Sequence, residues 1–117
     1  MTERGIPAAC IFCKIAAKEV SSPIVYEDAD VVAFKDLNPR APLHVLVIPR
    51  RHVERLSSLD DEALAGKLTL AAAKVAKDAG HGENFRLVVN NGAGAGQSVF
   101  HVHFHVLGGR PFTWPPG

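Results

Sequence analysis

Short apolar runs separated by turn-forming residues make up the first half of the chain. Ile24–Glu27 and Val31–Phe34 are two such runs, and the Asp-Ala-Asp turn between them predicts a β-hairpin. Asn38–Pro42 contains an asparagine and two prolines and is predicted to be a loop. The next run, His44–Ile48, is almost continuously apolar, which is typical of a well-buried strand, and Pro49 ends it.

The pattern becomes helical from Asp60 to about Ala79. Apolar residues recur there at helical spacing, whereas Lys67, Lys74 and Lys77 lie off the apolar stripe. The members of the stripe are Leu64, Leu68, Ala71, Ala72, Val75 and Ala79. Acidic residues favour a helix start near Asp60, and a glycine directly after Ala79 predicts its end.

Two further strands are predicted at Arg86–Val89 and Val99–Leu107, with the glycine-containing loop Asn90–Ser98 between them. Strands at both ends of the chain and one long helix between them predict an α+β fold. We therefore expect an antiparallel sheet with the helix packed on one face.

Composition and charge narrow the functional classes. The length of 117 residues predicts a single domain, 1–117, with less regular tails at about 1–9 and 111–117. Apolar residues make up 47% of the chain and the net charge is +1, so we expect no nucleic-acid or membrane partner. The chain shows neither a signal-peptide pattern nor an apolar run of about 20 residues, so we expect a cytoplasmic protein.

Three of the six histidines, His101, His103 and His105, lie two residues apart. In a strand their side chains share one face, and the apolar residues between them face the core. Neighbouring histidines are then about 7 Å apart along the strand and the outer two about 13 Å apart. Since a histidine-bound zinc lies about 2 Å from each ring nitrogen, one ion cannot easily bind all three. The spacing favours separate roles.

The loop before the histidines suggests what one of those roles is. Gly92, Gly94 and Gly96 let backbone N–H groups approach an anion, and Gln97 and Ser98 add side-chain donors. The loop lacks the Gly-Lys-[Ser/Thr] ending of a P-loop. It is either a phosphate cradle or a flexible connection, and the adjacent histidines favour the cradle.

A phosphate held beside a neutral imidazole favours attack by a ring nitrogen on phosphorus, followed by hydrolysis of the phosphohistidine-type intermediate. This chemistry needs an acceptor for the other ring nitrogen, donors for the phosphoryl oxygens and a proton for the leaving group. His103, the middle residue of the row, has protein on both sides and is the predicted nucleophile.

The two cysteines, Cys10 and Cys13, form a C-x₂-C pair. One close pair in a chain expected to be cytoplasmic does not indicate a disulfide framework. The spacing alone fits a redox dithiol, half of a metal site or two buried small residues.

The run His101–Leu107 resembles the His-φ-His-φ-His-φ-φ signature (φ, apolar) of the histidine-triad family. Other segments resemble that family in the same order: Phe12–Ile15, Tyr26–Asp28, Ala33–Asp36, Asn38–Pro42, Leu46–Pro49 and Gly96–Val99. The ending Gly108–Gly117 resembles the nucleotide-binding, phosphoramidase branch. The resemblance implies a homodimer with one continuous sheet and hydrolysis of purine nucleoside phosphoramidates, such as adenosine 5′-monophosphoramidate or aminoacyl-adenylate-like compounds, to products such as AMP.

The resemblance also implies roles for individual residues. His103 is the nucleophile, His105 a donor to the phosphate or leaving group, and His44 a support that orients the nucleophile. The phosphate is held by Asn90, Gly96, Gln97 and Ser98. Asp36 accepts hydrogen bonds from the ribose, and Leu37 lines the base pocket.

Three of these roles have structural alternatives. Asp36 suits the start of a turn, His44 suits a buried core histidine, and Trp114 suits a frayed tail among prolines. In the branch that this sequence resembles, the carboxyl-terminal tail, which here carries Trp114, instead reaches the active site of the partner subunit and influences the choice of leaving group.

Many bacterial members of the family carry a C-x₂-C pair together with two histidines, which here are His52 and the first triad histidine, His101. With Cys10 and Cys13 they form a Cys₂His₂ set of the kind that tetrahedral zinc prefers. The resemblance therefore implies a structural zinc beside the catalytic site. Because other members of the branch lack the cysteines, it also implies that no cofactor is required for catalysis.

Three other functions are compatible with parts of this pattern. Hydrolysis of dinucleoside polyphosphates is one, but that branch often has Gln at the position of His105. A nucleotide-binding interaction protein with incidental turnover would use the same pocket. A purely metal-binding module would leave the glycine-rich loop Gly92–Ser98 unexplained.

Overall fold

A computed structural model describes residues 9–117. Its strands are β1 (Ile24–Glu27), β2 (Val31–Lys35), β3 (Leu43–Pro49), β4 (Phe85–Val89) and β5 (Phe104–Gly108). Its helices are α1 (Ile11–Ala16) and α2 (Glu62–Asp78), with short 3-10 turns at Leu56–Ser58 and Ala93–Ala95. The predicted amino-terminal tail, residues 1–9, lies outside the described residues except for Ala9.

The strands form one antiparallel sheet in the order β1-β2-β3-β5-β4. This confirms the predicted α+β class and the predicted β1–β2 hairpin. In the β3–β5 register Leu46 lies opposite His105, so β5, which carries the last triad histidine, is an interior strand. Strands β1 and β4 form the edges of the sheet.

A helix packs on each face of the sheet. Because successive strand residues point to opposite sides, each strand contributes side chains to both faces. Val31 and Ala33 of β2 pack with α2, whereas Val32 and Phe34 pack with α1. The helix predicted to cover one face is α2. The sequence pattern did not predict α1, since its six residues show less than two turns of periodicity.

Helix α2 is slightly shorter than predicted because its cap lies inside the acidic run. The side chain of Asp61 accepts a hydrogen bond from the N–H of Leu64 at 3.1 Å and caps the helix. Gly80 follows the last turn with a φ of +85°, as a helix-ending glycine does. The prediction for Ala79 was wrong, since it is exposed at the carboxyl-terminal cap and Ala76 is buried instead.

The strand predicted over Val99–Leu107 begins only at Phe104. In residues 99–103, contacts to the segment after β3 replace the ladder: the N–H of Val102 donates to the carbonyl of Val53 at 2.7 Å. The apolar residues between the histidines do pack in the α2 core, as predicted. None of the helices in residues 9–117 has the length and apolar character needed to cross a membrane.

Candidate active site

Four histidines and the ring of Phe12 meet on the α1 face of the sheet. The rings of His103 and His105 have centroids 5.0 Å apart, and the ring of His44, on β3, lies 5.2 Å from that of His105. The ring of Phe12 packs edge-on against His103 at 5.1 Å. His101 lies deepest, with no exposed surface.

A cavity of about 290 Å³ opens beside His103 and His105. Its apolar residues include Ile11, Phe12, Ile15, Phe34 and Leu46, and its polar residues include Lys35, Asp36 and Ser98. We call it the α1 cavity. It brings together five of the predicted site residues: Asp36, Leu37, Ser98, His103 and His105.

The tautomer of His103 follows from its backbone partner. Its Nδ1 lies 2.8 Å from the carbonyl oxygen of His101, and a carbonyl only accepts, so Nδ1 carries the proton. The Nε2 atom therefore holds a lone pair. Burial lowers the pKa of His103, which keeps the ring neutral near pH 7. This ring has the properties of a nucleophile.

His105 has the opposite tautomer because of its neighbour His44. The N–H of Arg40 donates to Nδ1 of His44 at 3.0 Å, so the proton of His44 is on Nε2. That Nε2–H donates to Nδ1 of His105 at 3.0 Å, which leaves the proton of His105 on its own Nε2. Burial, reinforced by His103 and His44, lowers the pKa of His105 to about 4. His105 is thus a neutral donor, and His44 contacts His105, although the resemblance implies that it orients the nucleophile.

Asp36 starts the turn, which is the structural alternative considered for it, and its contact to the ribose stays a prediction. One carboxylate oxygen accepts the N–H of Asn38 at 2.8 Å and forms the turn, and the other lies 3.4 Å from Nε2 of His44. Asp36, His44 and His105 are close enough to be considered as metal ligands. However, Nε2 of His44 is protonated and has no lone pair to offer, so we assign no metal to this group.

The loop Gly92–Ser98 is braced by Gln97, whose side chain is 3% exposed. Its amide nitrogen donates to the carbonyls of Glu54 at 2.8 Å and Val99 at 3.0 Å, and its oxygen accepts the N–H of Gly92 at 2.7 Å. The side chain of Gln97 is therefore occupied within the loop and does not line the α1 cavity, and its contact to the phosphate stays a prediction.

Two of the three other predicted phosphate residues, Asn90 and Gly96, lie beside each other. Gly96 has a φ of +98° and lies against the side chain of Asn90, since a Cβ added at Gly96 would be 3.7 Å from the side-chain nitrogen of Asn90. The N–H of Gly96 donates to the carbonyl of Ala93 at 3.1 Å. Neither Asn90 nor Gly96 lines the α1 cavity, whereas Ser98 does.

A second cluster lies behind Phe12 and consists of Cys10, Cys13, His52 and His101. Nδ1 of His101 is 3.4 Å and 3.5 Å from the two sulfur atoms and 3.2 Å from Nδ1 of His52, which is itself 3.2 Å from Sγ of Cys13. A tetrahedral zinc with ordinary bond lengths separates its nitrogen ligands by about 3.3 Å and nitrogen from sulfur by about 3.6 Å. We call these four residues the Cys₂His₂ cluster. Its spacing fits zinc.

The protonation of the cluster also fits a metal. Nε2 of His101 lies 2.8 Å from the carbonyl oxygen of Pro49, so it carries the proton and Nδ1 offers a lone pair to the cluster. Burial lowers the pKa of His101 to about 4, so the ring is neutral. Burial and the neighbouring Cys10 raise the pKa of the Cys13 thiol to about 12, so this thiol is protonated when no metal is bound.

Comparison with known proteins identifies the fold. The family model of the HIT domain matches residues 17–112. The chain belongs to the HIT domain family. An uncharacterized HIT-like protein from Synechocystis is 57% identical over 109 residues, which cover 92% of this chain and 96% of the relative.

Two solved structures resemble this HIT domain closely. The crystal structure of a HIT family hydrolase from Legionella pneumophila superposes with a TM-score of 0.90 at 43% identity, covering 92% of this chain and 99% of that one. A histidine triad nucleotide-binding protein from Candida albicans superposes with a TM-score of 0.80 at 32% identity, covering 92% and 83% of the two chains.

One part of the site was not predicted, and one predicted site residue lies outside the α1 cavity of its own chain. The α1 wall of this HIT domain was not predicted. The spacing of Ile11, Phe12 and Ile15 is that of one helix face, but it covers little more than one turn and is too short to predict a helix by itself. Trp114 is 82% exposed and does not line the α1 cavity of its own chain. The tail before it is tied to β4, since Arg86 donates to the carbonyl of Thr113 at 2.9 Å.

Proposed function

We propose that this HIT domain hydrolyses purine nucleoside 5′-phosphoramidates, such as adenosine phosphoramidate or aminoacyl-adenylate-like compounds, to the nucleoside monophosphate. The observation that carries the proposal is the pair of opposite tautomers at one end of the α1 cavity. His103 offers a lone pair on Nε2, and His105 offers a proton on Nε2. The solved relatives support it, since one is named a hydrolase and another a nucleotide-binding protein.

The α1 cavity suits each part of a nucleotide. A flat purine base is matched by the apolar wall of α1 and by Phe34 and Leu46, where stacking and burial stabilise it. The carboxylate of Asp36 accepts hydrogen bonds from the ribose hydroxyls. Ser98 and the two histidines are left to contact the phosphoryl group.

The reaction proceeds in two balanced steps. Nε2 of His103 bonds to phosphorus and the P–N bond of the substrate breaks, while the leaving nitrogen accepts a hydrogen bond from the Nε2–H of His105 and takes its proton from solvent. Water then attacks phosphorus, the bond to His103 breaks, and the proton that the water loses returns to solvent. The hydrogen bond from His44 to Nδ1 of His105 keeps the proton of His105 on Nε2, where it faces the reacting group.

Single-turnover hydrolysis of adenosine phosphoramidate, compared with a diadenosine polyphosphate, tests this proposal. We expect a covalent nucleotidyl protein after a quench with denaturant at alkaline pH, where a P–N bond to histidine survives, and faster turnover of the phosphoramidate. Faster turnover of the polyphosphate would assign the chain to that sibling activity. Nucleotide binding without turnover of either compound would favour an interaction protein.

We also propose that the Cys₂His₂ cluster holds a structural zinc. His101 and His52 supply neutral nitrogen ligands, and the two cysteines supply thiolates once the metal displaces their protons. Metal analysis of the purified protein tests this: we expect about one zinc per chain, and less than about half an equivalent with both thiols freely titratable would contradict it.

The third proposal is a homodimer in which the sheet continues across the subunit interface. Strand β4 is an edge strand, so one side of its backbone is available to a second copy. Leu87 on β4 is 37% exposed, which adds apolar surface at that edge. Such an arrangement would give the exposed Trp114 a partner site to reach.

A further inference from the structure

Phe12 connects the Cys₂His₂ cluster to the α1 cavity. It lies between Cys10 and Cys13 in the sequence, and its ring is buried, with 7% exposure. The ring packs edge-on against His101, with centroids 6.0 Å apart, and against His103, with centroids 5.1 Å apart. Phe12 therefore contacts a cluster residue on one side and the proposed nucleophile on the other.

Helix α1 depends on its ends for stability, because a six-residue helix is not stable alone. At its amino end Cys10 is the cap, and its sulfur accepts the N–H of Cys13 at 3.3 Å. At its carboxyl end the guanidinium of Arg50 donates to the carbonyl of Ala16 at 2.8 Å. The cluster thus controls one of the two ends of α1.

His101 links the cluster to the nucleophile by a second route. Its Nδ1 faces the cluster, while its backbone carbonyl accepts the Nδ1–H of His103 at 2.8 Å. A metal that immobilises the ring of His101 also immobilises the segment whose carbonyl sets the tautomer of His103. Both routes end at the wall or the nucleophile of the α1 cavity.

We propose that a metal bound by the Cys₂His₂ cluster is a positioning element for the nucleotide site: it fixes helix α1 as the base-binding wall and the Phe12 ring against His103. This rests on the proposed function, which assigns the α1 wall to the base. Loss of the metal should then weaken ligands that carry a base much more than ligands without a base, whose phosphate still meets Ser98 and His105.

The test compares wild type with the double variant Cys10→Ser/Cys13→Ser, and uses Lys14→Ala, on the same helix, as the matched control. Zinc content, hydrogen exchange of the amides of residues 11–16, and dissociation constants for AMP and ribose 5-phosphate are measured. We expect the double variant to lose zinc and amide protection. Its AMP dissociation constant should rise roughly 10-fold, the size of one lost base–aromatic contact, with less than about a twofold change for ribose 5-phosphate.

Zinc chelation and zinc re-addition on wild type give the same comparison without substitution, in case the double variant does not fold. Equal weakening of both ligands, or of neither, would overturn the proposal, as would a wild type without zinc. If zinc-loaded wild type binds neither ligand, the proposed nucleotide function fails, and the exchange of residues 11–16 still decides whether the metal orders α1.

The Phe12 contact is tested separately with Phe12→Leu, which keeps all four cluster residues. We expect this variant to retain zinc and to lose at least about 10-fold in kcat on adenosine phosphoramidate, because small misplacements of a nucleophile are costly. Phe12→Tyr, which keeps the ring, should restore kcat. Equal kcat for Phe12→Leu and wild type would remove Phe12 from the positioning of His103.

Discussion

At the scale of single residues, hydrogen-bond partners give His103 and His105 different roles although their rings are only 5.0 Å apart. A backbone carbonyl faces Nδ1 of His103, whereas a protonated nitrogen of His44 faces Nδ1 of His105. A carbonyl only accepts and a protonated nitrogen only donates, so the two rings carry their protons on opposite nitrogens. The pair therefore presents a lone pair and a proton to one cavity.

The first prediction concerns the nucleophile. His103→Ala should reduce hydrolysis of adenosine phosphoramidate at least about 1,000-fold, because no other ring presents a lone pair at the same place. AMP should still bind within about threefold of wild type, since the base wall and Asp36 remain. His81→Ala, outside the α1 cavity, is the control. Undiminished hydrolysis by His103→Ala would remove this residue from the mechanism.

The second prediction concerns stability in acid. The pKa of folded His105 is about 4, below its ordinary value of 6.5, so the unfolded chain binds this proton first. The contribution of His105 to the free energy of unfolding is therefore present above pH 6.5 and is lost as the pH falls to 4. Urea unfolding of wild type and His105→Gln across this range should show the two stabilities converging in acid. Parallel curves of unfolding free energy against pH for the two proteins would contradict the lowered pKa of His105 in the folded state.

At the scale of elements, the loop Gly92–Ser98 is held by a side chain and not by strand pairing. Gln97 joins the two ends of the loop to the segment after β3 through three hydrogen bonds. The loop can therefore keep Ser98 at the mouth of the α1 cavity although its other residues are largely exposed.

The third prediction follows from this brace. Gln97→Ala leaves an N–H and two carbonyls without their partner, which should lower the free energy of unfolding by about 2 kcal/mol. Asn91→Ala removes one exposed hydrogen bond to the N–H of Ser57 and should cost less than about 0.5 kcal/mol. Urea unfolding at pH 7 measures both. Equal losses of the free energy of unfolding for the two variants would show that the Gln97 side chain stabilises the loop no more than the exposed hydrogen bond of Asn91 does.

The elements also show what could be predicted from the sequence. Strand β3 and helix α2 were predicted because long apolar patterns dominate their packing. The start of β5 was not, because the ring of His101 bonds to Pro49 and the backbone of Val102 bonds to Val53 where a ladder would continue. The tautomer of His105 and the bond from Gln97 to the carbonyl of Glu54 depend on atoms distant in sequence, which no local pattern encodes.

At the scale of the whole molecule, the tail and the sheet edge lie together. Arg86 of β4 donates to the carbonyl of Thr113, and its guanidinium lies 5.2 Å from the ring centre of Phe112. Trp114, which follows Thr113, is 82% exposed. If β4 pairs with a second copy, the tail runs along the interface, and a partner cavity is available to Trp114.

The fourth prediction tests this arrangement with mixed dimers. His103→Ala and Trp114→Ala chains are each expected to be impaired alone, the second in its choice of leaving group. If Trp114 acts on the partner subunit, a mixed dimer has one site with an intact nucleophile from one chain and an intact tryptophan from the other. Mixing should then restore wild-type leaving-group preference at that site, measured after light scattering has established the dimer. A mixture that behaves as the sum of the two variants would place Trp114 at the site of its own chain or at neither.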